Sequence, residues 1–436
     1  MKTKSLFLPA AVLTLLLVAA CEKGPAPETY LKAVPEAMEW WQDARFGLFV
    51  HWGPVSLKGT EIGWSRGGER RGREGTGDIP VEEYDNLYKQ FNPVDFDARE
   101  WVDIAKDAGM KYIVFTSKHH DGFSMFDSAV TDYKITSPES PYGRDIAAEL
   151  AEACHEGGIK LGFYYSPVDW YHPDYRTETH EVYIRFMHDQ VRELCTNYGR
   201  LDILWFDSLQ IHPMSGSGGE NVYDPAWAED WISHELFRMI RSLQPGIVIN
   251  NRCGLEADFD TPEQHVGFYQ PDRPWESCIT ICRQWAWKPG DRMKSLKECI
   301  RTLAMCAGGD GNLLLNVGPM PTGEIEPRQV ERLKEIGAWL SEYGESIYGT
   351  RGGPIPPASW GATTHRGNTI YLHVLDDTAS IIALPDLKSE ITDIRLLDGR
   401  PVEWFKTGLG TMIRIPEASR DANDTVIVVR LEGEVG

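Results

Sequence analysis

The sequence predicts an α/β fold: a (β/α)8-like barrel followed by a small C-terminal antiparallel β-sandwich. Three observations carry this. A helix, stop, strand pattern recurs through the first two thirds of the chain. Polar and aromatic residues gather directly behind each apolar strand. Beyond residue 355 the pattern changes to short strands separated by turn residues. Near-continuous apolar strands alternating with helices describe a parallel sheet covered by helices. Barrel chemistry sits at strand C-termini. A doubly wound sheet would bind there too, but no Gly-x-Gly-x-x-Gly follows a strand.

The elements follow in order. Lys2 and Lys4 precede an apolar run from Leu6 to Ala20, too short for a comfortable membrane span. Residues 1–20 therefore read as a signal peptide. Val18-Ala19-Ala20-Cys21 resembles a bacterial lipobox, which implies cleavage before Cys21 and lipid on its thiol. Residues 21–35 are polar and Pro-rich, as suits a tether. The expected product is an exported lipoprotein, periplasmic or outer-membrane, of a Gram-negative-type bacterium. It would touch the membrane only through its lipid.

A catalytic barrel is expected over residues 36–350. Asp97 caps a helix with Trp101, Ile104, Ala105 and Ala108 at helical spacing, and Gly109 ends it before the strand Tyr112 to Thr116. Residues 147–156 repeat the pattern, with Gly157-Gly158 as the stop and Leu161 to Tyr165 as the strand. Residues 183–198, Gly199 and 201–206 repeat it again. Residues 227–243, Pro245-Gly246 and 247–249 form a fourth unit. A helix from Pro327 to Tyr343 closes the barrel, and Gly352 to Pro357 reads as a linker. Strands at 369–372, 380–383, 393–396, 412–415 and 426–429 make the sandwich of residues 355–436.

Composition narrows the function. Forty-four basic against 65 acidic residues leave a net charge of −21, which argues against nucleic acid as partner. Fifteen Trp supply flat rings that stack on sugars or fill a core. Beyond Cys21 the seven cysteines are odd in number and lack paired Cys-x-x-Cys spacing, so buried free thiols are expected. Cys278 and Cys282 have the spacing of one helix face.

Carboxylates carry the chemistry. In Leu204-Trp205-Phe206-Asp207, strand alternation puts Trp205 and Asp207 on one side. A carboxylate beside an aromatic ring at a strand end suits a nucleophile facing a sugar; helix capping is the plainer use of such an Asp. Retaining glycosidases need a second carboxyl group about 5–5.5 Å away. Glu263, in Asp258-Phe259-Asp260-Thr261-Pro262-Glu263, and Glu276, in Pro274-Trp275-Glu276, both compete for that role. His51, His119 and His120 follow strands and can donate to sugar hydroxyls. A zinc site from His51, His119 and Asp121 is disfavoured, because adjacent strand residues point to opposite faces.

These residues resemble glycoside hydrolase family 29, the α-L-fucosidases. The matching segments are Trp40 to Gly53, Ala108 to Tyr112, Lys118-His119-His120-Asp121-Gly122-Phe123, Tyr164-Tyr165-Ser166, Trp205-Phe206-Asp207 and Gly311 to Pro319, in the family's order. The resemblance implies a barrel with a C-terminal sandwich and retaining hydrolysis of α-L-fucosides, without metal or cofactor. The expected partner is a fucosylated oligosaccharide or glycoconjugate. Asp207 falls on the nucleophile position, and Glu263 on the acid/base position with Glu276 as its rival. His51, His119, His120, Tyr165 and Trp205 fall on fucose-binding positions. Arg252 falls on an orienting Arg, Trp285 near the aromatic that packs on the fucose methyl, and Glu61 and Trp64 on a pair that holds hydroxyls. A related exo-glycosidase acting on galactosides and a non-catalytic glycan-binding lipoprotein are the competing readings. Ser208 stands where the family often has Gly. The Gly/Arg-rich stretch 66–77 is expected to be a solvated loop rather than a lid or an anion site.

Overall fold

The computed structural model describes residues 29–207 and 225–435. The expected signal peptide, Cys21 and Ser208 lie outside the described residues. Seven parallel strands form one sheet: β1 (Phe46–Val50), β2 (Tyr112–Lys118), β3 (Lys160–Tyr165), β4 (Ile203–Phe206), β5 (Val248–Ile249), β6 (Glu276–Thr280) and β7 (Asn312–Val317). Their order is β5-β4-β3-β2-β1-β7-β6.

The eighth stave is irregular. Residues 258–264 run between the edge strands β5 and β6, where Asn250 bridges Phe259, Asp260 bridges Trp275 and Glu263 bridges Cys278, all in parallel sense. Asp258 N donates to Ile249 O (2.9 Å) on one side, and Cys278 N donates to Pro262 O (3.0 Å) on the other. Two Asp and a Pro interrupt the apolar pattern here, and Pro cannot donate to a ladder. The segment reads as a loop in sequence, yet it closes the barrel and carries Glu263.

The helices are α1 (Pro35–Ala44), α2 (Val81–Asp85), α3 (Ala98–Asp107), α4 (Ile146–Gly157), α5 (His180–Asn197), α6 (Pro225–Asp230), α7 (Ser233–Leu243), α8 (Leu296–Gly308) and α9 (Pro327–Tyr343). Asp97 caps α3 by accepting from Arg99 N and Glu100 N, an arrangement that contributes about 1 kcal/mol. Gly109 and Gly158 follow α3 and α4 with positive φ, 83° and 68°, where a side chain would be strained. The helix expected over 227–243 is instead split into α6 and α7. Ile232 stands at φ 49° between them, which lets the preceding Trp231 turn inward against Tyr175 and His180.

The barrel interior is filled by large side chains, among them Phe49, Tyr112, Tyr164, Trp205, Phe259 and Leu314. Helix α1 plugs the N-terminal end: the Trp41 ring lies 4.5 Å from Phe259, and Asn312 Nδ2 donates to Trp41 O (2.8 Å). This leaves the opposite end, where the strands finish, for chemistry. All seven cysteines in the described residues are free and buried. Cys278 lies on β6, so it shares no helix face with Cys282.

Beyond α9, strands β8 (Arg351–Gly352), β9 (Gly361–Arg366), β10 (Thr369–Val374), β11 (Ile381–Leu384), β12 (Ile391–Leu396), β13 (Glu403–Thr407), β14 (Gly410–Arg414) and β15 (Thr425–Leu431) form two antiparallel sheets. The orders are β12-β15-β10-β9-β8 and β11-β14-β13. Ile370, Leu372, Ile413, Ile427 and Val429 pack between them. Strands β8, β9 and β13 have no counterpart among the strands expected from the sequence, and β8 runs into the expected linker. Strand β9 is small and polar because it presses on α8, where a Cβ on Gly308 would lie 2.4 Å from Ala362.

Candidate active site

Asp207 directly follows β4 and is the centre of the site. Its Oδ2 accepts from the Tyr164 hydroxyl (2.8 Å), and its Oδ1 accepts from Arg252 Nη1 (2.9 Å). His120 Nε2 stands 3.7 Å from Oδ2. Burial alone would push this carboxyl up, but Arg252, His120 and Tyr164 outweigh it and hold it below the ordinary Asp value. Asp207 is thus a carboxylate prepared to stay ionised.

Arg252 joins the two acidic groups. The same Nη1 donates to Glu263 Oε2 at 2.8 Å. The two oxygens are therefore no further apart than bonds of 2.9 and 2.8 Å laid end to end. That bound falls near the about 5–5.5 Å spacing of retaining pairs and short of the ~6.5–9.5 Å of inverting ones. Arg252 is itself fixed by the closing segment: Nε donates to Thr261 Oγ1 (2.7 Å) and Nη2 to Thr261 O (2.8 Å). The Glu263 side chain is 40% exposed against 16% for Asp207, so Glu263 is the one that reaches solvent.

Three imidazoles stand over the strand ends. A register shift between Thr116 and Lys118 ends the regular pairing of β2, and His119 and His120 then sit side by side, ring centroids 4.1 Å apart. His51 Nδ1 pairs with Asn316 Oδ1 (2.7 Å), while Asn316 Nδ2 donates to Trp285 O (2.8 Å). With its amide so committed, Asn316 accepts from His51, which leaves His51 Nε2 as an acceptor. Burial lowers His51 to about 3 and His120 to about 4. His119 is also pushed well below the usual range, by burial first and then by the adjoining His120, His51 and Lys118. All three are neutral near pH 7. The Nδ1 of His119 is buried without a hydrogen-bond partner. His119, His120 and Asp207 offer ligating atoms within 4.8 Å of one another, but a cation there would share Asp207 with Arg252.

Several expected residues have different places. Tyr165 is not in the site: it faces the helix side of β3, and its hydroxyl donates to buried Gln190 Oε1 (2.8 Å). Its neighbour Tyr164 takes that position, stacked on Trp205 and on His119. Trp205 is a buried floor whose Nε1 donates to Glu276 Oε1 (3.2 Å), leaving that donor no sugar to meet. Glu276 lies a layer deeper, hydrogen-bonded also by Tyr112, fully buried and out of reach of a leaving group. Glu61 accepts from Trp285 N and Ala286 N (3.1 Å each), so it holds the turn that presents Trp285. The Trp285 ring lies 4.7 Å from His51 and walls one side. Trp64 meets His120 edge-on at 5.6 Å.

Tyr164, Thr261 and Asn316 were missed by sequence reasoning. Tyr164 had a signal: it pairs in register with Trp205, which shares a strand face with Asp207. Thr261 and Asn316 lie inside the segments 258–263 and 311–319, but they act through Arg252 and His51, and only packing shows those contacts.

Residues 19–345 match the model of the family described as Alpha-L-fucosidase. The chain is 29% identical to the tissue alpha-L-fucosidase of Rattus norvegicus, over 84% of this chain and 81% of that protein. It is 28% identical to the alpha-L-fucosidase of Dictyostelium discoideum, over 90% and 92%. Among solved structures it resembles alpha-L-fucosidase isoenzyme 1 from Paenibacillus thiaminolyticus, at TM-score 0.78 and 39% identity over 91% and 99%. It also resembles a GH29 alpha-L-fucosidase of Bacteroides thetaiotaomicron trapped as a covalent intermediate with 2-fluoro-fucosyl fluoride, at TM-score 0.78 and 26% identity over 92% and 97%.

Proposed function

The chain belongs to the alpha-L-fucosidase family of glycoside hydrolases, and on that premise we propose that it removes terminal α-L-fucosyl residues from glycans by double displacement. Asp207 attacks the anomeric carbon, and the glycosidic oxygen departs with the proton of Glu263. Glu263 then takes a proton from water, whose oxygen attacks the same carbon and releases Asp207. Arg252 holds both carboxylates, and as general acid Glu263 turns from Arg252 to the leaving oxygen. His51 Nε2 accepts from a sugar hydroxyl, and the Trp285 ring faces the 6-methyl group. The single observation that carries this reading is the one Arg252 nitrogen shared by Asp207 and Glu263.

Incubation with 2-fluoro-fucosyl fluoride and peptide mass analysis tests it. A fluorofucosyl adduct on Asp207 is the expected result. An adduct on another residue, or none under conditions where fucosides turn over, would overturn the assignment. The exported lipoprotein reading belongs to the same proposal: Cys21→Ala should release the protein from the membrane fraction and abolish fatty-acid labelling.

A further inference from the structure

The stretch 66–77 is a largely solvent-exposed loop, as expected, but Arg66, Arg70 and Arg71 anchor it along the rim of the site. Arg66 donates twice to Asp85 (2.6 and 2.7 Å). Arg70 is buried, donates to Trp64 O, and lies 5.2 Å from the ring centroids of both Trp64 and Trp170. Arg71 donates to Pro173 O and His172 O (2.6 Å each). Arg73 is exposed, and its guanidinium lies 4.6 Å from the Trp64 ring centroid. Arg176 adds a fifth guanidinium, with its Cδ 2.7 Å from where a Cβ on Gly72 would be.

These cations have little to offset them. Arg176 pairs with Asp230 at 3.7 Å. Among the described residues no carboxylate lies within ion-pair distance of Arg70, Arg71 or Arg73. Glu69 and Glu74, on the same stretch, are exposed and pair with none of them, and Asp174 stands by His172 instead. Arg70 Nε is buried with no hydrogen-bond partner. Like charges held this close repel one another, and among the described residues no carboxylate offsets them, so the cluster is suited to an anionic group brought by a ligand. The cluster is two rings from the nucleophile: Trp64 touches His120, and His120 stands 3.7 Å from Asp207.

We infer that the rim built by Arg70, Arg71 and Arg73 is a subsite for an oxyanion on the glycan, a sulfate ester or a carboxylate, beside the residue being cleaved. Guanidinium forks fit both groups in two-point hydrogen bonds. The inference rests on the fucosidase reading and names a substrate class for it.

The test compares three fucosylated oligosaccharides of one linkage: neutral, O-sulfated on the sugar next to the fucosyl residue, and carboxylate-bearing on that same sugar. At low ionic strength at least one charged substrate should exceed the neutral one in kcat/KM by ~10-fold, the size expected of one charge-assisted contact. That ratio should collapse in Arg73→Ala, persist in part in Arg73→Lys, and shrink with added salt. Whichever charged arm is preferred identifies the source of the anion. No preference in either arm, or a preference that survives Arg73→Ala, overturns the subsite. If the parent protein cleaves no fucoside, the fucosidase reading fails, and the same glycans are titrated against tryptophan fluorescence, with Trp64 as reporter. A saturable, salt-sensitive response to charged glycans alone then supports the subsite, and an equal response or none to all three overturns it.

Discussion

Tyr164 and Tyr165 are neighbours on β3 with opposite duties. Tyr164 donates to the Asp207 carboxylate, whereas Tyr165 donates to Gln190 among buried polar groups under α5. Losing a hydrogen bond to a charged group costs about 1.5–3 kcal/mol, so Tyr164→Phe should lower kcat/KM by ~10–100-fold. Tyr165→Phe should lower the melting temperature and leave kcat/KM near that of the parent. Equal kinetic losses in the two variants would count against the assignment. Removing the Tyr164 donor also removes one of the groups that hold Asp207 low. The acid limb of the kcat/KM profile, set by Asp207, should therefore move to higher pH in Tyr164→Phe. Glu276 gives a stability prediction of the other sign. Burial pushes its carboxyl from 4.5 up to about 7. Between those values the folded state holds a proton that the unfolded state has lost, so its contribution is present at low pH and is lost as pH rises through about 7. Glu276→Gln stays neutral throughout, and its melting temperature relative to the parent should climb from pH 5 to pH 8. A difference that does not change with pH would refute this.

At the scale of elements, the barrel is closed by the 258–264 segment, held from below by α1 and from the sides by β5 and β6. Trp41→Ala removes the ring under Phe259 and should cost about 3–5 kcal/mol of stability, the usual range for a buried Trp. Phe259 lies four residues before Glu263, so kcat should fall together with the melting temperature. Thermal unfolding with parallel kinetics checks both, and a destabilised variant with parental kcat would uncouple the segment from the site. This segment also shows where sequence reading ended. Helices α3 and α4 were legible because helical spacing and glycine stops agree, and α9 because Pro327 opens it and its apolar residues keep helical spacing. Asp207 and the histidines were legible because they follow apolar strands. The closing stave was not, since Asp258, Asp260 and Pro262 spend its pattern on ion pairs and turns rather than on a buried face. Tyr164 was misplaced by one residue because two adjacent tyrosines fit the motif equally and only the register with Trp205 separates them. The depth of Glu276 and the true contacts of Glu61 depend on packing between distant segments, which no local pattern encodes.

At the scale of the molecule, the sandwich is bound to the barrel rather than tethered to it. Arg301 and Lys297 on α8 both pair with Asp377 (2.6 and 2.5 Å), and Thr364 on β9 donates to Ser346 O (2.6 Å). His373 and Asp424 meet at 2.6 Å in the buried layer beside Thr364. A chain ending at residue 350 would bare the α8 face that β9 covers, and it should aggregate or melt well below the full chain. A monodisperse truncated barrel with full activity would show the sandwich to be dispensable. The fold, the paired carboxylates and the neutral imidazoles together serve one claim, that the anomeric carbon is displaced twice. Proton NMR of an aryl α-L-fucoside during the first turnovers tests that claim most directly. Double displacement releases α-L-fucose first, followed by mutarotation; β-L-fucose appearing first would contradict it.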